Sequence, residues 1–283
     1  MNNEEKLRWN GNQPNSPRSK GYQLGDTVLE YNGILFRDSS KFKGCLTVCG
    51  YTGNNSLVEV PPYLNYDEHI LDVTDIDNGA LSENQVIRTL ILPESIVTIG
   101  DEAFMWSMIE KVSMPGVREM GTNAFMSCPI RTMALPNIKV VEYNAFTSCT
   151  FLKTLEIPEG VEIIREGAFF GCNALESIVL PSTLKILEGS AFTDCTSLRS
   201  VTFPDNLLVI GYDSFKGCTR LSSITFGKNL AEIENCAFEG CMSLDSVRLP
   251  ASVKKVAKDA FPKKTKILRD GEPEKRGLFK RFF

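Results

Sequence analysis

The chain has 283 residues, a formal net charge of −4 and 42% hydrophobic residues. This charge argues against nucleic acid as a partner, for which a basic face is expected. No apolar run approaches the roughly 18 residues of a membrane-spanning helix, whereas the hydrophobic fraction allows a continuous core.

The first 21 residues are polar and rich in Asn, Pro and Ser. Because such a segment buries too little apolar surface to offset the entropy of ordering, we predict that residues 1–21 are disordered. They lack the apolar core of a secretory signal. The chain also carries nine cysteines, and unpaired thiols in this number suit a reducing compartment. The polar N-terminal segment and the number of unpaired thiols both favour the cytoplasm. If the chain has been trimmed at its start, a cell-surface location is the alternative.

Residues 22–85 are predicted to form an N-terminal cap and a degenerate first repeat, because they hold an imperfect copy of a pattern found downstream. Leu81 lies 23 residues before Phe104, the first phenylalanine of that pattern. Asn84 occupies the position that a cysteine takes in most later copies. The interval from Pro61 to Leu81 is longer than the corresponding interval in later copies, which indicates an insertion around residues 63–69. Terminal repeats must present a polar outer face, which a cap would supply.

Residues 86–268 contain a repeat built on a recurring phenylalanine, usually preceded by alanine. The repeat phenylalanines are Phe104, Phe125, Phe146, Phe169, Phe192, Phe215, Phe238 and Phe261. Their spacings are 21, 21 and then five times 23 residues. A fixed period of this length indicates a solenoid, in which each unit buries its apolar face against its neighbours. In the two shorter intervals the missing residues fall between apolar positions, so the apolar pattern survives.

Each unit begins with a predicted strand. Leu175, Ile178 and Leu180 give the L-x-x-L-x-L pattern of a leucine-rich repeat strand. Pro181 ends this strand because proline lacks the N–H that a sheet requires. Gly227 takes the place of this proline two units later, which we interpret as a conservative change at a bend.

Six of the nine cysteines follow a repeat phenylalanine by three residues, and we predict that they form a buried ladder of reduced thiols. The ladder cysteines are Cys128, Cys149, Cys172, Cys195, Cys218 and Cys241. Free cysteine is among the most buried residue types, and parallel side chains in register oppose the dihedral that a disulfide needs. Cys236 falls outside the ladder and is predicted to be the most exposed thiol.

The sequence offers no group of residues suited to catalysis or metal binding. His69 is the only histidine, which leaves few options for general base catalysis. There is no C-x-x-C pair, no glycine-rich phosphate loop and no G-x-S-x-G motif. We therefore expect a protein that is not an enzyme, with no catalytic residue, no metal site and no cofactor.

The consensus L-x-S-[VI]-x-L-P-x-x-[LV]-x-x-I-x-x-x-A-F-x-x-C resembles the BspA-type bacterial leucine-rich repeat family over roughly residues 58–268. The resemblance implies a β-rich repeat solenoid, curved and right-handed, with a parallel sheet on its concave face. It also implies a role in adhesion or protein–protein recognition. Ser107, Asn84 and Ser214 depart from the pattern at single positions without threatening the fold.

The outward positions of the repeated strands are the candidate contacts for a protein partner. The second, third and fifth residues of L-x-x-L-x-L point to solvent, and eight strands spaced about 4.8 Å apart would form a surface roughly 38 Å long. The charged residues at these positions are Arg88, Glu110, Arg131, Lys153, Glu156, Glu176, Arg199 and Arg248. Their mixed signs fit a protein partner better than a polyanion. The sequence identifies neither the partner nor the oligomeric state.

A basic aromatic tail at residues 269–283 is the second candidate contact. Its apolar residues are Leu278, Phe279, Phe282 and Phe283. On one side of a helix they could bind an anionic membrane surface or a partner groove, although the segment is too short to be a stable helix alone and a solvated tail is the other interpretation. The first hypothesis is a non-catalytic interaction module that binds through the concave strand face. The alternative is a peripheral membrane protein held by this tail.

Overall fold

The computed structural model describes residues 23–67 and 69–270, and every regular element in this part of the chain is a β-strand. The N-terminal strands are β1 (Leu29–Tyr31), β2 (Ile34–Asp38), β3 (Cys45–Tyr51), β4 (Leu57–Glu59), β5 (Tyr63–Tyr66) and β6 (His69–Ile76). Most later turns contribute two short strands. Those on the L-x-x-L-x-L pattern are β7 (Thr89–Ile91), β9 (Lys111–Ser113), β12 (Thr154–Glu156), β14 (Ser177–Val179), β16 (Ser200–Thr202), β18 (Ser223–Thr225), β20 (Ser246–Leu249) and β22 (Lys266–Arg269). Those that follow the proline are β8 (Thr98–Ile99), β10 (Glu119–Met120), β11 (Val140–Val141), β13 (Ile163–Ile164), β15 (Ile186–Leu187), β17 (Val209–Ile210), β19 (Glu232–Ile233) and β21 (Lys255–Val256).

The N-terminal strands form a sheet that continues into the repeats. Strands β1, β2 and β3 pair antiparallel in order, β3 pairs parallel with β6, and β6 pairs parallel with β8. The insertion predicted around residues 63–69 contains β5, which pairs antiparallel with β6 as a hairpin. Phe36, Leu46 and Val73 from these strands are buried in the same hydrophobic core as the repeats.

The repeats form the parallel β-solenoid that the period predicts. Thr154 pairs with Ser177 and Leu155 with Ile178, so equivalent residues of successive 23-residue turns lie side by side. In β14 the central Ile178 is buried while its two neighbours are exposed. This is the alternation that one buried sheet face requires.

A second parallel sheet, which the sequence analysis did not predict, runs beside the first. Strands β11, β13, β15, β17, β19 and β21 pair in that order, again one turn apart. Each of these strands has only two residues, so no alternation could be read from the sequence. The inner residue of each pair, such as Ile164 or Leu187, enters the core.

The Ala-Phe segment forms the third side of each turn. Around the first seven repeat phenylalanines, the residues two before and two after have positive φ, as Ser190 (56°) and Asp194 (58°) do around Phe192. The N–H of Phe192 donates to the carbonyl of Ser214 in the next turn at 2.8 Å. This side therefore has its own ladder of hydrogen bonds between turns.

Leu81 occupies the phenylalanine position of an earlier turn, as its spacing predicts. Gly79 and Glu83 on either side of it have positive φ (62° and 57°). The N–H of Leu81 donates to the carbonyl of Ala103 at 2.8 Å, which is the contact made by the later phenylalanines.

The repeat phenylalanines stack into one buried column. Neighbouring ring centroids are 4.7–5.5 Å apart, with interplanar angles of 23° or less. Phe104 through Phe238 are fully buried and Phe261, at the C-terminal end, is 8% exposed. We call this column of rings the spine.

The ladder cysteines are buried beside the spine, as predicted, and the structure supplies a reason for their identity. Each thiol donates to the carbonyl of the phenylalanine one turn earlier, at 3.0–3.4 Å. The carbonyl of Phe146, for example, accepts both the N–H of Cys149 at 3.2 Å and the thiol of Cys172 at 3.3 Å. Cysteine is small enough for this position and still satisfies a second lone pair of a buried carbonyl.

Gly227 is not the conservative replacement for proline that we predicted. It is buried, and a Cβ added there would lie 2.2 Å from the carbonyl oxygen of Pro204. The two backbones approach so closely that only glycine fits at this bend.

We expect Gly227→Ala to lower the free energy of unfolding by roughly 1–3 kcal/mol, because the added methyl group must push the Pro204 backbone aside. Urea denaturation measures the change. Thr225→Ala, at an exposed position two residues away, is the control and should change the stability by less than about 0.5 kcal/mol. An alanine variant as stable as the parent would contradict the close approach.

Candidate protein-binding face

We call the solvent side of the L-x-x-L-x-L strands the first face. All eight charged residues predicted to contact a partner lie at outward positions there. The exposed ones are Arg131, Lys153, Glu156, Glu176, Arg199 and Arg248, and the half-buried ones are Arg88 and Glu110.

The first face is not the continuous eight-strand surface that we predicted. Its strands pair in separate groups, β4–β7–β9, β12–β14–β16–β18 and β20–β22. Between β9 and β12 the described chain makes only an isolated bridge, from Lys111 to Thr132. This turn belongs to a 21-residue unit, and its shortened chain does not hold the register of the 23-residue turns. The eight predicted contacts are therefore divided among these groups, with Arg131 in the turn between the first and the second.

The second of these groups presents a row of alternating charges, Lys153, Glu176 and Arg199, which we call the central row. The N–H of Glu176 donates to the carbonyl of Lys153 at 2.8 Å, and that of Arg199 to the carbonyl of Glu176 at 3.2 Å, so the three residues lie on adjacent turns. Val179, at the end of β14 and three residues after Glu176, is 60% exposed. Within residues 23–67 and 69–270, none of the central-row side chains takes part in an ion pair or side-chain hydrogen bond.

The turn between the first and second groups holds an aromatic residue that the sequence analysis missed, Phe151, which lies three residues before β12. The guanidinium of Arg131 lies 5.1 Å from the ring centroid of Phe151, and its Nε is 3.3 Å from Glu110 Oε2. Phe151 is 47% exposed. Its position is occupied by Ala174 in the next unit, so this break in the repeat pattern was the signal available in the sequence.

Charges on the second face, the solvent side of the second sheet, are largely paired with one another. Lys185 Nζ is 2.7 Å from Glu162 Oε2 and Arg165 contacts Glu188 at 2.6 Å. The hydrogen bond from Lys185 lowers the pKa of the Glu162 carboxyl below its usual value. This face consequently offers fewer free charges to a partner than the central row does.

A groove of about 660 Å³ opens on the second face between β10 and β11. The sheet is interrupted there, since β10 ends one sheet and β11 begins the next. Arg118 and Lys139 lie on opposite sides of the groove, while Phe125 and Phe146 remain stacked behind it at 5.5 Å. The groove coincides with the 21-residue units, whose shortened spacing was its only sign in the sequence.

Cys236, predicted to be the most exposed thiol, is half-buried, as are the two cysteines of β3. Its thiol donates to Asp259 at 3.4 Å. Burial, together with the carboxylates of Asp259 and Glu239, raises the pKa of Cys236 to about 11. The Sγ of Cys236 and the carboxylates of Asp213 and Glu239 lie close enough to share an ion. Lys216 already contacts both carboxylates, at 3.5 and 3.0 Å.

The remaining sequence predictions fall outside the described residues. These are residues 1–21 and the tail contacts Leu278, Phe279, Phe282 and Phe283. Within residues 23–67 and 69–270 no helix could span a membrane.

Solved structures that are similar to this chain are bacterial leucine-rich repeat proteins. A leucine-rich repeat protein of T. pallidum is 22% identical, with 77% of this chain and 91% of that one covered and a TM-score of 0.54. A leucine-rich cell surface protein of Faecalibacterium prausnitzii is 19% identical, covering 87% and 95%, with a TM-score of 0.51. The pneumococcal vaccine antigen PcpA is 17% identical, covering 87% and 82%, with a TM-score of 0.50. At these identities the likeness concerns the fold.

No curated protein sequence matches the chain. The family model for the BspA-type leucine-rich repeat region matches residues 67–153 and 139–268, in six copies. These ranges contain the spine, the ladder cysteines and the central row. The chain belongs to the BspA-type leucine-rich repeat family.

Proposed function

We propose that this protein is a non-catalytic protein-binding module that engages its partner through the first face, centred on the central row. The family commonly serves protein–protein interaction or surface adhesion. What favours this particular face is the state of its charges: the central row has none of the ion pairs that neutralise the second face.

Unpaired charges at a fixed spacing suit recognition better than paired ones. A partner with the complementary order, acidic–basic–acidic, meets Lys153, Glu176 and Arg199 without first breaking an ion pair. Charge complementarity of this kind sets specificity and association rate. Val179, 60% exposed at the end of β14, adds apolar surface on the same face that the partner can bury.

Phe151 and Arg131, which lie between the first and second groups, extend this contact. Aromatic residues and arginine are enriched among the few interface residues that carry most of the binding free energy. Glu110 holds the Arg131 side chain from one side and the Phe151 ring lies against it from the other. A side chain ordered before binding loses less conformational entropy in the complex.

Reversing the charge of three first-face cations tests the proposal. The partner is first isolated by affinity capture from the native source, identified by mass spectrometry and purified. We expect the Arg131→Glu/Lys153→Glu/Arg199→Glu variant to bind it at least about tenfold more weakly in a titration, because like charges would then face each other.

The matched control reverses three exposed cations elsewhere: Lys185→Glu, Lys254→Glu and Lys258→Glu. It makes the same change in net charge, so it should keep the parent affinity within about threefold, apart from long-range effects that salt screens. Undiminished binding by the first-face variant, or an equal loss in both variants, would argue against the first face.

A further inference from the structure

The second face carries an apolar patch of three residues, Ile186, Leu208 and Tyr212. They are 46%, 53% and 43% exposed and border a depression of about 470 Å³. The residues equivalent to Leu208 in other units are Val97, Arg118, Lys139, Glu162, Lys185, Ala231 and Lys254. Since most of these are charged, the fold does not require an exposed leucine at this position.

The Tyr212 ring of the patch is closely packed, and the rim of the patch is acidic. The Tyr212 ring lies against Gly189, where an added Cβ would come within 2.3 Å of it, and the Tyr212 N–H donates to Glu234 at 2.9 Å. The charged residues around the depression are Glu166, Glu188, Glu234 and Lys185. Glu188 is ion-paired with Arg165, and Lys185 is ion-paired with Glu162. The carboxylates of Glu166 and Glu234 therefore leave this rim with a negative balance.

We propose that residues 271–283 of this same chain dock on the apolar patch. This segment complements both the apolar surface of the patch and the negative charge of its rim. The segment has four apolar side chains, Leu278, Phe279, Phe282 and Phe283, and four cations, Lys275, Arg276, Lys280 and Arg281. Its aromatic rings would fill the depression while its cations meet Glu166 and Glu234. An apolar centre with opposite charges around it is the usual composition of a peptide groove.

The segment is long enough to reach the patch. The described chain ends at Asp270, directly after β22, and 13 residues follow. An extended chain of that length spans about 43 Å. Strand β15 is three strands from the last second-face strand, β21, a distance of about 14 Å along the stack, and crossing from one sheet to the other adds about 10 Å.

Hydroxyl-radical footprinting of the full-length protein, read by mass spectrometry, tests this docking because it reports side-chain exposure directly. We expect Leu208 and Tyr212 to be oxidised several-fold faster in the Phe279→Ala/Phe282→Ala/Phe283→Ala variant than in the parent. Val179 and Phe151 on the first face serve as internal controls and should keep their rates.

The reciprocal variant, Ile186→Lys/Leu208→Lys, uses residues that the repeat itself places at these two positions in Lys255 and Lys254. It should therefore fold, and oxidation of Phe282 and Phe283 should become faster in it. Equal oxidation rates in the parent and both variants would overturn the proposal.

Two further outcomes would also overturn it. Protection of Leu208 that disappears on dilution would assign the patch to a second copy of the chain. Protection of Phe282 and Phe283 seen only with phosphatidylserine vesicles would assign the segment to a membrane surface.

Discussion

Raising the pH from 8 to 10 is expected to destabilise the fold strongly. Burial raises the pKa of Cys128 to about 11 and that of Cys172 to about 12, and it also raises the pKa of Cys149, Cys195 and Cys241. In the unfolded chain these thiols regain their ordinary pKa of 9.0 and ionise. At pH 10 this stabilises the unfolded state by about 1 kcal/mol per thiol, or several kcal/mol for the five together.

The free energy of unfolding falls with rising pH because the pKa values of the thiols are higher in the folded state than in the unfolded state. The stability that the neutral thiols contribute is fully present below pH 9 and is lost as the pH rises towards the folded-state values. Urea denaturation at several pH values measures it. Lysines and tyrosines also titrate in this range, so a Cys172→Ser/Cys195→Ser variant provides the control. Its slope of unfolding free energy against pH should be smaller than that of the parent, and an unchanged slope would contradict burial of the thiols.

Phe169→Ala is expected to lower the free energy of unfolding by about 3–5 kcal/mol. The ring is fully buried, with its centroid 5.4 Å from that of Phe146 and 5.2 Å from that of Phe192. The cavity cannot close, because the Phe169 N–H is bonded to the carbonyl of Ala191 at 2.8 Å and this bond fixes the distance between turns. Thermal or urea denaturation measures the loss.

The stability losses of two other phenylalanine variants serve as comparisons for Phe169→Ala. Phe151→Ala, at a position 47% exposed, should cost less than about 1 kcal/mol. Phe261→Ala, at the end of the spine with one stacked neighbour, should fall between the two. Equal losses for Phe169→Ala and Phe151→Ala would mean that the spine is not the core of the solenoid.

The repeat period predicted most of the fold because the buried residues are the ones that repeat. One spacing rule placed Leu81 in the same position as Phe104 and the six ladder cysteines beside the spine. It could not show why those residues are cysteines. The reason is a hydrogen bond to the carbonyl of a different turn, and such a contact leaves no trace in the spacing within one unit.

The parts that the sequence did not predict depend on contacts between turns. Gly227 follows the repeat as a substitute for proline, yet the approach of the Pro204 backbone makes glycine necessary. The first face is divided because Thr132 makes only a single bridge to the preceding turn. A consensus sequence describes the average unit, so it does not show that one turn departs from the common register. The candidate contacts were found from their outward positions, but which charges remain unpaired depends on side-chain geometry.

The central claim is that the repeats bury one continuous column of Phe and Cys side chains. Alkylation of the native protein with iodoacetamide at pH 8, followed by mass spectrometry over time, tests it most directly. We predict that the half-buried Cys45, Cys49 and Cys236 react over this time, with Cys49 and Cys236 slowed because their raised pKa values leave little thiolate at pH 8. The six ladder cysteines should stay unmodified until the chain unfolds and then react together. Rapid alkylation of ladder cysteines in the native protein, at the rate seen in denaturant, would contradict the claim.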